Sequence, residues 1–160
     1  ADLKDAARAV EQLRGFWPDA GLSAGGTDIL EYTQHSPLPA CTDEIRCGTG
    51  IMLGVYPLTG NPIPGTSRTA FQIEATVLEC RVKEGRQKAL LDMGSYHTDP
   101  GRLIPLLPDM KLTGFSSAYS VYDVEDCPEK LQEGAAVRFG LTYSSLSRAL
   151  ASRALPCVLL

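Results

Sequence analysis

Residues 44–54, EIRCGTGIMLG, contain the pattern from which the fold can be inferred. The segment begins as a strand at Glu44–Cys47, bends at a glycine turn and continues as an apolar run that ends at Gly54. A second glycine turn, residues 21–28, GLSAGGTD, follows a short strand in the same way and leads into a helical run that reaches about Thr33. Two strands, each followed by a glycine turn, predict neighbouring strand ends in a β/α structure.

The residues before the first glycine turn have the spacing of an amphipathic helix. Ala6, Val10 and Leu13 recur on one helical face, and Pro18 ends the pattern. The order helix, strand, glycine turn, helix, strand is typical of a β/α unit. One such unit cannot close a barrel, and a pair of parallel strands is not stable alone. Residues 1–54 therefore complete a structure supplied by another segment, or they belong to a longer chain.

The sequence changes character after residue 54. Prolines and glycines in residues 55–65 predict a linker. Residues 69–82 alternate apolar and polar side chains and predict a long strand with one buried face. Only Ser144–Ala151 has the pattern of a helix in this half. Further strand-like runs, separated by turn signals, are Lys88–Met93, Lys111–Phe115, Tyr119–Val124, Ala136–Tyr143 and Cys157–Leu160. Residues 66–160 are therefore predicted to form a mostly antiparallel β domain, and the chain as a whole an α+β protein.

Composition excludes several classes of function. The 160 residues carry a net charge of −4, with 44% hydrophobic and 21% charged residues, as in a globular protein. The 15 lysines and arginines are scattered, which argues against nucleic-acid binding. No apolar run approaches the roughly 20 residues that span a bilayer, and the start does not resemble a signal peptide. Five cysteines, an odd number without a Cys-x-x-Cys pair, favour reduced thiols in the cytoplasm.

The two glycine turns have two possible interpretations. As an anion cradle, they would turn backbone N–H groups inward and add the hydroxyl of Thr27. As ordinary strand-to-helix turns, they would need no ligand, and the local sequence alone favours this alternative. The presence of two such turns at neighbouring strand ends favours the cradle, because β/α barrels commonly bind phosphate between the loops after strands seven and eight. A zinc site made of His35, Cys41 and Cys47 matches none of the usual ligand spacings.

Residues 44–54 are similar to the last barrel strand of alanine and ornithine racemases, which has an arginine, any residue, a glycine and then an apolar run ending in glycine. Further similarities follow in the same order along the chain, nearest to the ornithine racemase and YhfX-type branch. They are Gly94 with residues 99–106, residues 112–117 with Tyr122–Val124, and residues 137–143 with Leu146, Arg148 and Ala149. The chain thus resembles the C-terminal portion of a fold-type III enzyme that uses pyridoxal 5'-phosphate (PLP).

The resemblance implies a domain organisation. Residues 1–54 would be the last β/α unit of a TIM-type barrel, residues 55–65 a linker, and residues 66–160 a β domain of the alanine racemase C-terminal type. The family acts on amino acids as a homodimer, which implies a small-molecule amino-acid substrate and a second copy of the chain as partner. Neither a membrane nor a nucleic acid is expected to be a partner.

The resemblance also implies cofactor contacts. Arg46 matches an arginine that donates to the pyridine nitrogen of PLP, and a cation there disfavours protonation of the ring. Its alternative role is that of a surface arginine at a strand end. Tyr143 matches a tyrosine that reaches the phosphate from the β domain; otherwise it is a half-buried strand tyrosine. The phosphate contacts implied for the two turns come from the backbone of Gly25, Gly26, Thr27, Gly48 and Thr49.

The family's second acid/base is a β-domain tyrosine, and the nearest match is Tyr96. His97 is a possible substitute, because an imidazole can exchange protons near neutral pH. An exposed turn without a catalytic role is the alternative for both residues. Related D-serine dehydratase-like enzymes have a zinc-binding histidine where this chain has Ala118 or Tyr119, so no metal is expected.

The Schiff-base lysine of the family lies on the first barrel strand, which has no match in residues 1–160. The resemblance therefore implies that this segment is inactive alone and that it supplies cofactor contacts and a dimerising β domain to a racemase. A different hypothesis is a non-catalytic β domain for dimerisation or partner binding. A third is a barrel fragment that binds some other phosphorylated ligand.

Overall fold

The structure, a computed structural model, describes residues 3–158, and the chain divides between Arg68 and Thr69 into two compact units. Residues 55–65, predicted to be a linker, lie within the first unit. Val55 and Pro62 form an isolated antiparallel bridge, and the side chains of Tyr56 and Ile63 are buried. Prolines and glycines in this segment therefore shape a packed loop.

The first unit contains a single parallel strand pair with short helices. Its elements are α1 (Leu3–Arg14), β1 (Leu22–Gly25), α2 (Ile29–His35), β2 (Thr42–Arg46) and α3 (Thr49–Leu53). β1 and β2 are parallel, with Gly25 opposite Arg46 at their carboxyl ends. The structure thus has the predicted β/α unit.

The structure corrects the sequence prediction for one segment of the first unit and assigns another. Residues 22–25, predicted to be part of a glycine turn, form strand β1, because they find a parallel partner in β2. The apolar run after the second glycine turn, which the sequence pattern leaves unassigned, forms helix α3. Short apolar runs have no periodicity that separates helix from strand, so the sequence could not decide between them.

The second unit is a six-stranded antiparallel sheet. Its elements are β3 (Gln72–Lys83), β4 (Arg86–Leu91), a 3₁₀ turn (Pro100–Arg102), β5 (Leu103–Pro105), β6 (Lys111–Phe115), β7 (Ser120–Asp123), β8 (Ala136–Leu141) and α4 (Tyr143–Ala151). The strand order is β5-β8-β3-β4-β7-β6. Residues 72–76 of β3 pair with β8, whereas residues 77–83 pair with β4. Together with the first unit, this sheet confirms the predicted α+β class.

The core of the second unit is formed by side chains from the central strands. Phe139, Leu91 and Ala89 are fully buried, and the rings of Tyr122 and Phe139 lie 5.4 Å apart. The phenol of Tyr122 has no hydrogen-bond partner in the described part of the chain, and burial raises its pKa to about 12. Tyr122 is therefore a neutral core residue.

A cluster of ion pairs joins β4 to β7. The guanidinium of Arg86 contacts the carboxylates of Asp123 and Asp126, and the ammonium of Lys88 lies 2.7 Å from Asp123. Hydrogen bonds from Arg86 and then Lys88 hold the pKa of Asp123 well below its usual range. Asp123 is itself largely buried, so this charged group depends on its two cationic partners.

The second unit corrects two sequence predictions and contains one strand that the sequence did not predict. Tyr143 begins helix α4 and does not end a strand, because Thr142 caps the helix through reciprocal hydrogen bonds with Ser145. Cys157 and Val158 are not in a strand, and the last two residues of that predicted strand lie outside the described residues. Strand β5 was not predicted, since three residues carry too little alternation to be recognised.

Candidate functional site

The two glycine turns lie side by side at one edge of the parallel strand pair. The N–H of Gly26 donates to the carbonyl of Arg46 at 3.0 Å, which continues the pairing past the end of β1. The N–H of Gly50, in the first turn of α3, donates to the hydroxyl of Thr27 at 2.9 Å. The Thr27 side chain of one turn therefore caps the helix that follows the other turn.

Several donors at this edge have no partner within residues 3–158. They are the backbone N–H groups of Thr27, Asp28, Gly48 and Thr49. Thr27 is buried and its hydroxyl oxygen already accepts from Gly50, so its O–H hydrogen is left to donate. Unpaired N–H groups that share one edge form a site for an anion with several acceptor oxygens, such as phosphate.

Glycines at two positions of this edge leave room for the side chains around them. A Cβ at residue 25 would overlap the guanidinium of Arg46, with Cζ only 2.8 Å away, so Gly25 lets the arginine lie across the end of β1. A Cβ at Gly50 would overlap the side chains of Thr27 and Ile63. Both glycines therefore serve close packing.

The charge of Arg46 is not neutralised inside the described structure. Its side chain is exposed and forms no ion pair or hydrogen bond with residues 3–158. The nearby carboxylate of Asp28 accepts from the N–H of Leu58 at 3.4 Å. A guanidinium and backbone N–H groups that lack partners within residues 3–158 are donors of the kind that bind a ligand with negative charge and acceptor atoms.

The three other candidate residues lie in the second unit. Tyr143 occupies the first position of α4, with 59% of its surface exposed. Tyr96 is 74% exposed on the loop after β4, and this loop is fixed by its backbone. The Tyr96 N–H donates to Ser117 at 2.8 Å, and its carbonyl accepts from the hydroxyl of Ser152 at 3.1 Å. Tyr96 thus has a main chain held by hydrogen bonds and a phenol that has no partner among residues 3–158.

His97 helps to form this loop. Its Nδ1 accepts the N–H of Gly94 at 3.1 Å, and its ring lies edge-on to Tyr96 with centroids 6.3 Å apart. Gly94 packs so closely on the carbonyls of Ser116 and Ser117 that no side chain fits there. Since Nδ1 is engaged, Nε2 is the atom of His97 that remains for proton exchange.

Sequence reasoning missed one residue beside Tyr96. An open cavity of about 460 Å³ is lined by Tyr96 and residues 151–154, which include the exposed Arg153. The arginine follows the end of α4, where the sequence has no motif that would single it out.

Three further properties of the described residues concern metal sites, reactive thiols and membrane-spanning helices. No set of three or more His, Cys, Asp or Glu side chains among residues 3–158 could hold a metal ion. Burial raises the pKa of the Cys80 thiol, and Glu133 and Glu79 raise it further, which makes the reactive thiolate scarce. Within the same residues, every helix is too short or too polar to cross a bilayer.

Comparison of the sequence with known proteins found relatives that are named racemases. No family model matches the chain. It is 27% identical to a lysine racemase of Thermotoga maritima over 94% of this chain and 48% of the relative. It is 22% identical to an ornithine racemase of Acetoanaerobium sticklandii over 82% of this chain and 43% of the relative. The chain therefore spans about half the length of the curated relatives it matches.

Solved structures of similar fold also match this chain over less than half of their own length. An alanine racemase-like protein from Idiomarina loihiensis aligns with 92% of this chain and 46% of its own, with a TM-score of 0.59 and 16% identity. D-threonine aldolase from Filomicrobium marinum aligns with 81% of this chain and 35% of its own, with a TM-score of 0.60 and 15% identity. The predicted resemblance to racemases of the alanine and ornithine type, over part of their length, is confirmed.

Proposed function

We propose that this chain forms the C-terminal part of a PLP-dependent amino-acid racemase, in which the first unit binds the cofactor and the second unit supplies an acid/base and a dimer contact. The observation that carries the proposal is the Gly50–Thr27 hydrogen bond, because it joins the two glycine turns, whose free N–H groups and Arg46 are the donors that PLP needs. The relatives named lysine racemase and ornithine racemase support a basic amino acid as substrate.

The donor set fits PLP in number and in charge. A phosphate offers several oxygens, and the edge offers four free N–H groups with the Thr27 hydroxyl. Arg46 would donate a hydrogen bond to the pyridine nitrogen, and its charge would disfavour protonation of that nitrogen. PLP, when bound, acts as an electron sink that makes the α-proton of an amino acid removable. The free N–H groups of Thr27, Asp28, Gly48 and Thr49 would donate to the phosphate, while Gly25 and Gly26 would shape the turn beside it. Tyr143, from a β domain, stays a predicted further donor.

Tyr96 and His97 would handle the proton on one face of the substrate. Tyr96 has an exposed phenol on a fixed main chain, which suits a group that must deliver a proton to one position. His97 lies against its ring and could exchange protons through Nε2. Assembly as a cytoplasmic homodimer, with the β domain of one copy serving the barrel of the other, belongs to the same proposal.

Exposed surface in the first unit supports its role as part of a barrel. Parallel sheets in proteins are normally covered on both faces, yet β2 is exposed along most of its length and Ile45 is open to solvent. A further β/α layer that carries the cofactor lysine would cover this surface.

The experiment that tests the function uses a polypeptide in which this chain is joined to a lysine-bearing barrel. With PLP, we expect racemisation of lysine or ornithine, measured by chiral chromatography, whereas residues 1–160 alone should have none. Arg46→Glu should lower kcat/KM at least about tenfold and raise side transamination, because one pKa unit at the ring nitrogen corresponds to a factor of ten. Gly25→Ala, which displaces Arg46, should have a smaller effect in the same direction.

Gly114→Ala is the matched control, because a Cβ there meets no atom within 4 Å. It should leave both activities unchanged. Absence of racemisation in the complete protein with PLP would overturn the proposed function. Unchanged racemisation in Arg46→Glu would show that Arg46 does not touch the ring.

A further inference from the structure

The cavity beside Tyr96 is formed by two segments that are distant in sequence but bonded to each other. The hydroxyl of Ser152 donates to the carbonyl of Tyr96 at 3.1 Å and accepts the N–H of Ala154 at 3.2 Å. The segment after α4 is thereby attached to the Tyr96 loop, and the cavity of about 460 Å³ lies between them.

The lining of this cavity contains a cation and a phenol, neither with a partner among the described residues. Arg153 makes no ion pair or hydrogen bond with any described residue, and the phenol of Tyr96 is also without a partner there. The other lining residues, Ala151, Ser152 and Ala154, carry no charge. Arg153 is thus the single charged residue in the lining, and a guanidinium in a fixed fork binds carboxylates in a bidentate way.

Helix α4 ends at the same cavity. The N–H of Ser152 caps the carbonyls of Arg148 and Ala149, while the carbonyls of the last two helical residues are left for other partners. The C-terminus of a helix favours cations. A carboxylate on Arg153 together with an ammonium near the end of α4 would match the two charges of a free amino acid.

We propose that this cavity is a carboxylate-binding subsite for a free α-amino acid, with Arg153 as the specificity-determining residue beside the phenol of Tyr96. The inference rests on the proposed function, since it assigns the substrate contact of the same acid/base. Neither the glycine turns nor Arg46 contributes to the subsite, so binding here can be measured without cofactor.

The test is a nuclear magnetic resonance titration of the full 160-residue chain with L-lysine and, separately, with pentane-1,5-diamine, which lacks only the carboxylate. L-lysine should shift the resonances of Tyr96 and Ser152 in a saturable way, and the diamine should not. Arg153→Gln should weaken the apparent Kd for lysine at least tenfold, with Arg153→Lys intermediate. The control Arg148→Gln removes the same charge from an exposed arginine of α4 that does not line the cavity, and it should stay within twofold of wild type.

The outcomes separate this inference from the proposed function. Equal binding of lysine and diamine, no saturable shift, or an unchanged Kd in Arg153→Gln would each overturn the subsite. If the complete protein racemises lysine while one of these results is found, the function stands and the subsite fails. If lysine binds through Arg153 but the complete protein with PLP has no activity, the subsite stands and the function fails.

Discussion

The two units differ in how completely their apolar side chains are buried. In the second unit, Phe139 is wholly buried among the central strands. In the first unit, the apolar positions after α1 face solvent, with Phe16 82% and Trp17 65% exposed, and Ile51 and Leu58 are exposed as well. Both units leave some apolar side chains exposed, Val82 of the second among them, but the second also encloses a core whose central side chains are fully buried.

The difference shows which unit depends on additional surface. Six antiparallel strands can form a stable sheet with a buried face, but a two-stranded parallel sheet is normally part of a larger layer. The free N–H groups and the unpaired Arg46 lie in the unit with the less complete core. Donors at the edge of a two-stranded parallel sheet are suited to a ligand that further strands of the same sheet would also contact.

The largest expected effect is in the core of the second unit. Phe139→Ala should lower the free energy of unfolding of this unit by about 3–5 kcal/mol, because it leaves a cavity under a fully buried ring. Hydrogen exchange followed by mass spectrometry across a urea series reports each unit separately. The first unit should keep its protection, and Phe115→Ala, at a half-exposed ring on β6, should cost less than about 1 kcal/mol. Equal loss of protection in both units would show that they unfold as one.

The second effect concerns the ion cluster of the second unit and depends on pH. Because the pKa of Asp123 is lowered in the folded state, the cluster contributes stability that is complete above the ordinary pKa of 3.8 and is lost as the pH falls toward the lowered value. Asp123→Asn should lower the urea midpoint at pH 7 and reduce its change between pH 7 and pH 3, measured by circular dichroism. Glu74→Gln, at an exposed pair with Arg138, is the control and should change little. A full pH dependence in Asp123→Asn would assign it to other carboxylates.

The third effect tests the connection between the two glycine turns. Thr27→Val keeps the shape but removes the acceptor for the N–H of Gly50, so the first unit should lose about 1–2 kcal/mol of stability. Thr27→Ser keeps the hydroxyl and should retain most of the stability. Hydrogen exchange of residues 22–54 measures both variants. Equal behaviour of valine and serine would mean that the hydroxyl does not cap α3.

The smallest expected effect tests whether the exposed rings of the first unit are covered in a longer polypeptide. Phe16→Ser and Trp17→Ser should change the stability of the 160-residue chain by less than about 0.5 kcal/mol, since these rings are exposed. In a polypeptide with the proposed barrel, the same substitutions should cost more than 1 kcal/mol, because the rings would be covered. Thermal denaturation of both proteins gives the comparison. An equal effect in the two contexts would mean that nothing packs on this surface.

Much of the fold could be predicted from periodicity. Alternation identified β3, β6 and β7 closely, and the helix-strand-turn rhythm identified the parallel pair. The apolar run of α3 and the packed loop at residues 55–65 could not be assigned, since their structure depends on contacts with Thr27 and within the loop, which the local sequence does not encode. The alternation of residues 136–143 predicts a strand that includes Tyr143. The capping role of Thr142 has a weak signature, because Ser145 takes the place of the usual acidic or amide residue.

The candidate site was predicted in part. Placing the two glycine turns together requires only that parallel strands end at one edge of a sheet, and the structure has them adjacent. The space that Gly25 leaves for Arg46 and the donors left free by the turns require three-dimensional contacts. Arg153 belongs to a cavity closed by a single hydroxyl, so no sequence pattern could have indicated it.

The divided pairing of β3 has a consequence for synthesis on the ribosome. Residues 77–83 meet β4 across the two-residue turn Glu84–Gly85, whose positive φ angles of 55° and 74° suit a hairpin that closes within microseconds. Residues 72–76 must wait for β8, whose Gly140 pairs with Gln72. At 5–20 residues per second, that edge of the nascent chain stays unpaired for roughly 3–12 seconds. The charged Glu74 between Ile73 and Ala75 then stands on the open edge, where a carboxylate discourages pairing with a neighbouring chain until β8 arrives.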